Sequence, residues 1–499
     1  MALKTNTVSR LSDTLKVSRS VVENRIERAA EWADQAGRPH FLTAHMNLDQ
    51  CDPLALYGRA VGSEHRFYWS QPARGLAISS CGAEATIETK GAERFEDAWS
   101  AVAEIGTTMV DLSESGDSAS KGSSGSLFVG GFGFADHPGT GGVWQGFPTA
   151  RLVLPGQWVR SDTEGHEAWV NQRVVPGGST AELAERLLEA LFEVVRTVTE
   201  ANPRAPEAVA LEKSSEYAVV GDRAHQVYRG QVAEALEEIA AGTFEKVVLA
   251  RALDVRHPGR FAVEAFLESL RETYPSCTTL AVSHGEDTLV AASPELLLRR
   301  SPGRVETCAL AGSARRGRTP EEDDALAQSL LESKKERAEH EAVVRSIRQA
   351  LEPVCSVLNG PTQPELLRVE GIQHLATPLV GDLREGDDSL SVLELAARLH
   401  PTAAVGGLPV AAARDWIERK EGLDRGWYAG PIGWLNAAGQ GEWWLALRSA
   451  LIHNASEPQS ISTARLFAGA GIVSGSDPEL ELRETRLKLR ALLAPLTEI

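Results

Sequence analysis

A lysine interrupts an apolar strand near the middle of the chain. In segment 244–251, FEKVVLAR, alternate residues share a face, so Lys246 lies on the same face as Phe244 and Val248. One interpretation is an edge strand whose lysine packs its stem and extends its ammonium group into water. The other is an ammonium group that is desolvated so that its pKa falls and the neutral amine can act as a base. The strand alone does not decide between them.

A glutamate follows a proline between two apolar runs. In segment 289–300, LVAASPELLLRR, Pro294 breaks the strand and Glu295 comes directly after it. A carboxyl group in apolar surroundings has a raised pKa and keeps its proton, which suits a general acid. The alternative is an exposed turn glutamate. Further along, a strand is expected to end at Gly312 and Ser313, where backbone N–H groups and a hydroxyl could bind a carboxylate.

Two predicted helices each place a pair of glutamates on one face. The first begins at Thr319 and Pro320, is expected to run to about residue 355, and contains Glu336 and Glu339. On helix statistics alone, the favoured explanation of this pair is a solvated charged face, with Lys335 pairing with Glu339.

The second helix begins at Asp477, with a proline next. It carries Glu481, Glu484 and Lys488 at positions i, i+3 and i+7. An ordinary i,i+4 ion pair between Glu484 and Lys488 is the alternative. If the two helices meet, their four glutamates form an oxygen-only cluster. Hard oxygen ligands suit Mg²⁺, which usually also takes an anionic substrate group as a ligand.

Composition narrows the classes of partner. The 499 residues contain 51 Lys and Arg against 69 Asp and Glu, a net charge of −18, which argues against nucleic acid or an anionic membrane as partner. Five scattered cysteines give neither a disulfide framework nor a zinc motif and fit a reducing cytoplasm. No run of about 18 apolar residues predicts a membrane helix. The first residues lack the apolar core of a secretory signal. A cytoplasmic protein is expected.

The order of predicted elements indicates an α+β (mixed α/β) fold with sizeable sheets covered by helices. Residues 1–221 alternate short strands with helices and contain a Ser/Gly-rich loop, 112–126, that is expected to be mobile. A helix at 180–201 and a linker at 202–208 lead to residue 222, where a helix and then the lysine strand begin. The glycines of 467–475 do not predict a dinucleotide site, because the downstream strand that such a site needs is missing.

Nine segments occur together in this order: KVVLAR, SPELL, LAGSARRG, ESKKERAEHE, IQHLATPLVGDL, LHPTAAVGGLP, YAGPIGW, GEWWLALRSA and FAGAGIVSGSDPELELRET. As a set they resemble the chorismate-binding enzymes, and most of all the isochorismate synthases, over residues 222–495. The resemblance makes 222–499 the catalytic region and 1–221 the more variable half of the same fold. It implies two large facing β-sheets flanked by helices.

The resemblance also implies an activity, an isomerase that converts chorismate reversibly to isochorismate with Mg²⁺. It makes Lys246 the general base and Glu295 the general acid. The implied Mg²⁺ ligands are Glu339 and Glu484, supported by Glu336 and Glu481. The implied substrate-binding residues are Gly312, Ser313, His374, Tyr428, Arg448, Gly471 and Lys488. The resemblance implies no amidotransferase subunit. The protein is expected to be a monomer or a weak dimer.

Single positions separate the activities of this family. Lys246 argues against anthranilate synthases, which lack the base lysine, and Ala311 argues against aminodeoxychorismate synthases, which have a nucleophilic lysine there. HPTAAVGG favours isochorismate synthases, although Ala403 replaces the second proline of their usual HPTPA. Salicylate synthases, which go on to eliminate pyruvate, are the alternative. A non-catalytic relative is disfavoured because every acid, base and metal position is filled. The sequence does not say whether the product feeds menaquinone, siderophore or salicylate synthesis.

Overall fold

The structure, a computed structural model, describes residues 2–60, 62–113, 125–137, 139, 142–200, 217–455, 457 and 460–498. Apart from its ends, the predicted mobile loop 112–126 lies outside these residues, and so does the linker 202–208. Within the described ranges, no helix has the length and apolar character needed to cross a membrane.

Helices alternate with strands along most of the chain. The described residues form twelve α-helices: α1 Ala2–Leu15, α2 Arg19–Ala36, α3 Pro53–Arg59, α4 Arg94–Gly106, α5 Thr180–Thr199, α6 His225–Ala240, α7 Val263–Thr273, α8 Pro320–Glu332, α9 Lys334–Leu351, α10 Val392–Leu399, α11 Val410–Lys420 and α12 Pro478–Thr497. Short 3₁₀ turns occur at Pro72–Arg74 and Asp387–Ser389.

The strands of the described ranges are β1 His40–Leu48, β2 His65–Gln71, β3 Leu76–Cys81, β4 Ala85–Thr89, β5 Met109–Asp111, β6 Phe128–Phe132, β7 Ala150–Leu154, β8 Gln157–Ser161, β9 His166–Val174, β10 Ala218–Gly221, β11 Lys246–His257, β12 Thr278–His284, β13 Asp287–Ser293, β14 Leu296–Ser301, β15 Arg304–Arg315, β16 Cys355–Asn359, β17 Glu365–Val369, β18 Ile372–Leu383, β19 Gly407–Leu408, β20 Pro431–Leu435, β21 Gly441–Leu445, β22 Ser449–His453 and β23 Ser462–Val473.

These strands form two large sheets. The first has the order β10-β11-β23-β22-β13-β12-β2-β3-β8-β9-β1-β5, with β19 beside β11. The second has the order β16-β18-β15-β14-β21-β20-β6-β7-β4, with β17 beside β18. Both take strands from before and after residue 221: β2 pairs with β12 in the first, and β6 with β20 in the second. The predicted α+β fold with two large sheets is confirmed.

The largest apolar core lies between the sheets, because it draws side chains from both. Phe67 and Trp69 of β2 belong to it together with Phe128 and Phe132 of β6. A second cluster packs α7 and α12 on the first sheet, and a third packs α1, α2 and α5 on β1, β8 and β9. Helices thus cover the faces that the sheets do not cover for each other.

The predicted long helix 320–355 is in fact two helices. It breaks at Ser333, whose extended backbone and side chain begin α9: Ser333 Oγ accepts a hydrogen bond from the Glu336 N–H at 3.3 Å. A serine that caps an N-terminus competes with continuation of the helix. The break matters for the site, because it fixes where the Glu336 and Glu339 face of α9 points.

Candidate active site

Lys246 is the first residue of β11 and is fully buried. It has a strand on each side, since it pairs with Val473 of β23 and with Leu408 of β19. The edge-strand interpretation of this lysine is therefore wrong. Its Nζ lies 3.0 Å from Glu339 Oε1. The sequence pattern showed the apolar neighbours of the lysine but not this carboxylate counter-ion, which comes from α9.

Glu295 occupies the predicted bend between β13 and β14, and it is buried. Its N–H donates to Ser293 Oγ at 3.2 Å, and its carbonyl accepts from the Leu445 N–H at 3.2 Å, which holds the bend against β21. Burial raises the pKa of the Glu295 carboxyl to about 8, although Lys246 and Lys488 oppose the shift. The raised pKa predicted from the leucine-flanked proline is confirmed, and the exposed-turn alternative is wrong.

The strand expected to end at Gly312 instead continues as β15 to Arg315. A β-bulge lies between Ala311 and Ser313, and Gly312 has a φ of 78°, which favours glycine. A Cβ there would lie 3.3 Å from Glu336. The Ser313 N–H already donates to Glu336 Oε2 at 3.0 Å, so this backbone donor positions a glutamate.

His374 and Arg448 continue the site from Ser313. Ser313 Oγ lies 2.9 Å from His374 Nδ1, and Arg448 Nη2 lies 2.8 Å from His374 Nε2. Burial and then Arg448 and Lys488 hold the pKa of His374 well below its ordinary value, so the ring is neutral. Because an arginine can only donate, Nε2 accepts and Nδ1 carries the proton toward Ser313. Arg448 also approaches Cys277 Sγ at 3.8 Å, a contact that no sequence signal indicated.

Helix α12 brings the second pair of glutamates as predicted. Asp477 caps it by accepting from the N–H groups of Glu479 and Leu480, at 3.0 and 2.9 Å. Glu484 forms the expected i,i+4 ion pair with Lys488 at 2.7 Å. Lys488 Nζ also donates to the Gly469 carbonyl of β23 at 2.9 Å, so the pair lies against the sheet.

A third lysine joins the two helices. Lys335 Nζ lies 2.8 Å from Glu481 Oε1 and 3.1 Å from Glu336 Oε1. The alternative in which Lys335 pairs with Glu339 along one solvated face is not what the structure shows. Glu339 is instead buried against Lys246. Sequence reasoning did not assign Lys335 to the site, although its place beside Glu336 was visible.

The four glutamates lie within electrostatic range of one another. Burial raises the pKa of Glu336, and Glu339 and Glu484 add to the rise, with Lys335 opposing it. Burial and then Glu484 raise the pKa of Glu481 to about 7. For Glu339, burial is outweighed by Lys246 and the neighbouring lysines, so its pKa is lowered.

The charge balance of the four glutamates decides whether they suit a cation. Four carboxylates share three ammonium groups, those of Lys246, Lys335 and Lys488, so one negative charge is uncompensated. In the described part of the chain, no three acidic, imidazole or thiol groups are gathered as a ready ligand set. The donor chemistry, oxygen only and mutually repelling, nevertheless fits a hard divalent cation.

One cavity brings most of the predicted site residues together. It is lined by Glu295, Gly312, Ser313, Glu339, His374, Tyr428, Arg448, Gly471, Glu484 and Lys488. Lys246, Glu336 and Glu481 are not among its lining residues: Lys246 contacts the lining residue Glu339, and Glu336 and Glu481 are joined to each other through Lys335. Tyr428 stacks on Phe467, with ring centroids 5.0 Å apart. The cavity therefore combines a protonated carboxyl group, a buried lysine near its wall and two cationic side chains.

The family described as chorismate binding enzyme matches residues 25–497, nearly the whole chain. The chain is a chorismate-binding enzyme. The sequence resemblance over 222–495 is thus confirmed and extends through the first half of the fold.

Relatives of this chorismate-binding enzyme are isochorismate synthases. It is 35% identical over 477 residues to the salicylate biosynthesis isochorismate synthase of Pseudomonas aeruginosa, with 95% of this chain and 94% of that protein covered. It is 34% identical over 476 residues to isochorismate synthase MenF of Bacillus subtilis, with 94% and 96% covered. It therefore belongs with the isochorismate synthases inside the family, which makes it an enzyme of the isomerase class.

A solved structure has the same fold. The menaquinone-specific isochorismate synthase MenF from Escherichia coli matches the chorismate-binding enzyme with a TM-score of 0.72 and 25% identity, covering 96% of this chain and 99% of that one. Anthranilate synthase component I from Streptococcus pneumoniae, 22% identical with a TM-score of 0.63, shares the fold.

Proposed function

We propose that the enzyme converts chorismate to isochorismate, with Lys246 as general base and Glu295 as general acid. In this reaction water adds at C2 of the ring while the C4 hydroxyl departs. Lys246 Nζ accepts a proton from the attacking water, and Glu295 gives its proton to the departing oxygen, which leaves as water. Atoms balance, and the reverse reaction exchanges the two roles. The observation that carries the proposal is a carboxyl group protonated at neutral pH on the wall of the cavity that Lys246 adjoins.

The base must be a neutral amine to accept a proton. In the structure the counter-ion of Lys246 is Glu339, which is also a proposed metal ligand. Glu339 cannot serve fully in both roles. When it ligates a cation, its charge is no longer available to hold the ammonium form of Lys246. We propose that Glu339, if it held a cation, would leave Lys246 without its counter-ion and so favour the neutral amine that a base requires.

The two carboxylates of chorismate require cationic partners. Arg448 and Lys488 both line the cavity, and each is held in place, Arg448 by His374 and Lys488 by the Gly469 carbonyl. A guanidinium group binds a carboxylate with parallel N–H donors. These residues provide a local positive field inside a protein whose net charge is −18. They are the proposed substrate anchors.

We propose that Glu339 and Glu484 hold Mg²⁺, with Glu336 and Glu481 supporting them. When bound, the ion supplies a Lewis acid that binds and orients a substrate carboxylate. One uncompensated negative charge and the raised pKa values of Glu336 and Glu481 support this assignment, because both favour a bound cation.

Replacing one proposed ligand should weaken the binding of Mg²⁺. We expect Glu339→Gln to move the Mg²⁺ titration of activity to at least about tenfold higher concentration, because a charged ligand is lost. The exposed neighbour Glu341 on the same helix provides the matched control Glu341→Gln. An unchanged titration midpoint in Glu339→Gln would place the metal elsewhere.

The reaction is tested by mixing purified enzyme with chorismate and Mg²⁺, without ammonia, and separating the products by chromatography. Isochorismate in reversible balance with chorismate is expected. Salicylate with pyruvate would assign the salicylate synthase activity, with the same base and acid. Turnover only after ammonia is added would contradict Lys246 as base. The five cysteines are free, which supports the further proposal that the enzyme works in the cytoplasm.

A further inference from the structure

A buried arginine lies on the face of β11 opposite to Lys246. Residues 246 and 251 are five apart in the strand, so their side chains point to opposite faces. Arg251 is only 2% exposed, and within the described chain neither its Nε nor its Nη1 has a hydrogen-bond partner. A buried cation without partners is costly. These two nitrogens of Arg251 are therefore available to a ligand.

The first turn of α6 packs beside this arginine. Tyr228 of that turn donates from its hydroxyl to the Leu249 carbonyl at 3.3 Å, and its ring centroid lies 5.9 Å from Arg251 Cζ. The helix begins after Ala224 with no side-chain cap and no acidic residue in its first turn. The N–H groups of His225 and Gln226 bond to no described residue. A helix start of this kind carries partial positive charge.

Further cations converge on the same place. Arg486 Nη2 lies 2.9 Å from His225 Nδ1, and Arg223 acts on Arg251 electrostatically. Asp222 is the acidic group that acts on Arg251; Arg223 holds its Oδ2 at 2.9 Å, and its Oδ1 has no hydrogen-bond partner among the described residues. Glu479, which acts on His225, is held by Arg229 at 2.7 Å. Arg223, Arg251 and Arg486 thus share the carboxylate of Asp222, while Glu479 is taken up by Arg229. In a chain with a net charge of −18, this is a local field of the opposite sign.

We propose that Arg251, the first turn of α6 and Arg486 form an anion site that takes a tetrahedral oxyanion, either free phosphate or the phosphate group of a metabolite. The guanidinium group offers parallel donors and the helix start offers free N–H groups, a combination that suits phosphate. The site is separate from Arg448 and Lys488, which line the cavity on the other face of β11.

Isothermal titration of the full-length enzyme with inorganic phosphate, at ionic strength held constant with NaCl, tests the site. We expect one phosphate per chain. Arg251→Met should weaken binding at least about tenfold, the loss expected for a hydrogen-bonded charge. Arg490→Met, which removes an exposed arginine of α12, is the matched control and should bind as the wild type does. Arg448→Met should also retain this phosphate, because Arg448 belongs to the cavity on the other face.

A second variant covers the case in which Arg251→Met does not fold. His225→Glu changes an exposed residue, and a glutamate in the first turn stabilises a helix while it repels an anion. We expect a folded protein that binds phosphate at least about tenfold more weakly. Repeating the titration with glucose 6-phosphate identifies the source, because tighter binding of the ester indicates a metabolite and tighter binding of phosphate the free ion.

Three results would overturn the proposal. The first is wild-type binding in both Arg251→Met and His225→Glu. The second is a loss of phosphate confined to Arg448→Met, which would place the ion in the active site. The third is no binding by the wild type at 10 mM phosphate (about the upper limit for a useful millimolar site), which would make Asp222 the partner of Arg251.

Discussion

The raised pKa of Glu295 lowers the stability of the folded protein at neutral pH. Its pKa is about 8 there, against an ordinary value of 4.5. Between these two values the unfolded chain releases a proton that the folded chain keeps, so stability falls as pH rises from about 4.5 to about 8. At pH 7 the accumulated loss is about 3 kcal/mol, at 1.36 kcal/mol per pH unit.

Removing the carboxyl group should therefore stabilise the protein while it stops the reaction. For Glu295→Gln we expect turnover to fall about 10²–10⁴-fold, the usual worth of a general acid. We expect its stability advantage over the wild type to grow from near zero at pH 4.5 to about 3 kcal/mol at pH 7. Urea unfolding at pH 5 and pH 7 measures the difference. Glu286→Gln, an exposed change, is the control, and a gap that does not vary with pH would show that Glu295 is ionised.

Lys246 can be tested by a substitution that keeps its volume. Lys246→Met should lower kcat about 10²–10⁴-fold because the base is lost. The Kd for chorismate should stay within about threefold, since Arg448 and Lys488 are untouched. Stopped-flow binding and product chromatography separate the two quantities. The exposed Lys420→Met is the control, and substantial turnover by Lys246→Met would remove this residue from the mechanism.

At the scale of elements, the strand β23 makes room for the ion pair at the centre of the site. A Cβ on Gly471 would lie 2.0 Å from Glu339 Oε1 and 3.1 Å from the Lys246 side chain. The glycine is there for close approach, since its backbone is not in the left-handed region that would demand glycine by itself.

Gly471→Ala should displace Glu339 and break its contact with Lys246. We expect activity to fall at least about a hundredfold, because a shift of about 1 Å in a catalytic constellation costs that much. Gly230→Ala in α6 is the control, because no atom lies within 4 Å of its added Cβ; it should stabilise the protein by up to about 1 kcal/mol with activity unchanged. Equal activity in the two variants would mean that Glu339 has no fixed position.

The sequence predicted elements where the signal was local. The cap at Asp477, the face shared by Glu481 and Glu484, and the bend at Glu295 follow from neighbouring residues, and all are present in the structure. The prediction from sequence was wrong at Ser333, because a serine at such a position can either continue a helix or cap the start of a new one. It could not predict the contact of Lys246 with Glu339, because the two residues are 93 positions apart and meet only through packing of α9 on the sheet.

At the scale of the whole molecule, two buried histidines lie where the halves of the first sheet meet. His65 of β2 pairs across the strands with His284 of β12, and their ring centroids are 5.3 Å apart. Burial lowers the pKa of His65 to about 3 and that of His284 to about 2. Both rings are neutral in the folded protein. As pH falls below about 6.5, these two histidines bind protons in the unfolded chain but stay neutral in the folded protein, so stability is lost.

We expect His65→Leu to make the protein more resistant to acid. The difference in free energy of unfolding, variant minus wild type, should increase by about 2–3 kcal/mol when the pH is lowered from 7.5 to 4.5. This is the linkage for one histidine over two pH units. Urea unfolding at the two pH values measures the change. Phe147→Leu alters a ring that packs on His284 without titrating, so its effect should not vary with pH. A similar independence of pH in His65→Leu would contradict the explanation.

The pairing of β2 with β12 and of β6 with β20 has a consequence for synthesis on the ribosome. The strand β2 ends at Gln71, and its partner begins 207 residues later at Thr278; Phe132 of β6 is 299 residues from Pro431 of β20. At roughly 5–20 residues per second, two sheet edges wait about 10–60 s for their partners. An open edge is a template for pairing with another chain. We therefore expect a nascent chain that depends on holding chaperones, and a protein that is most prone to aggregate before its last third has been translated.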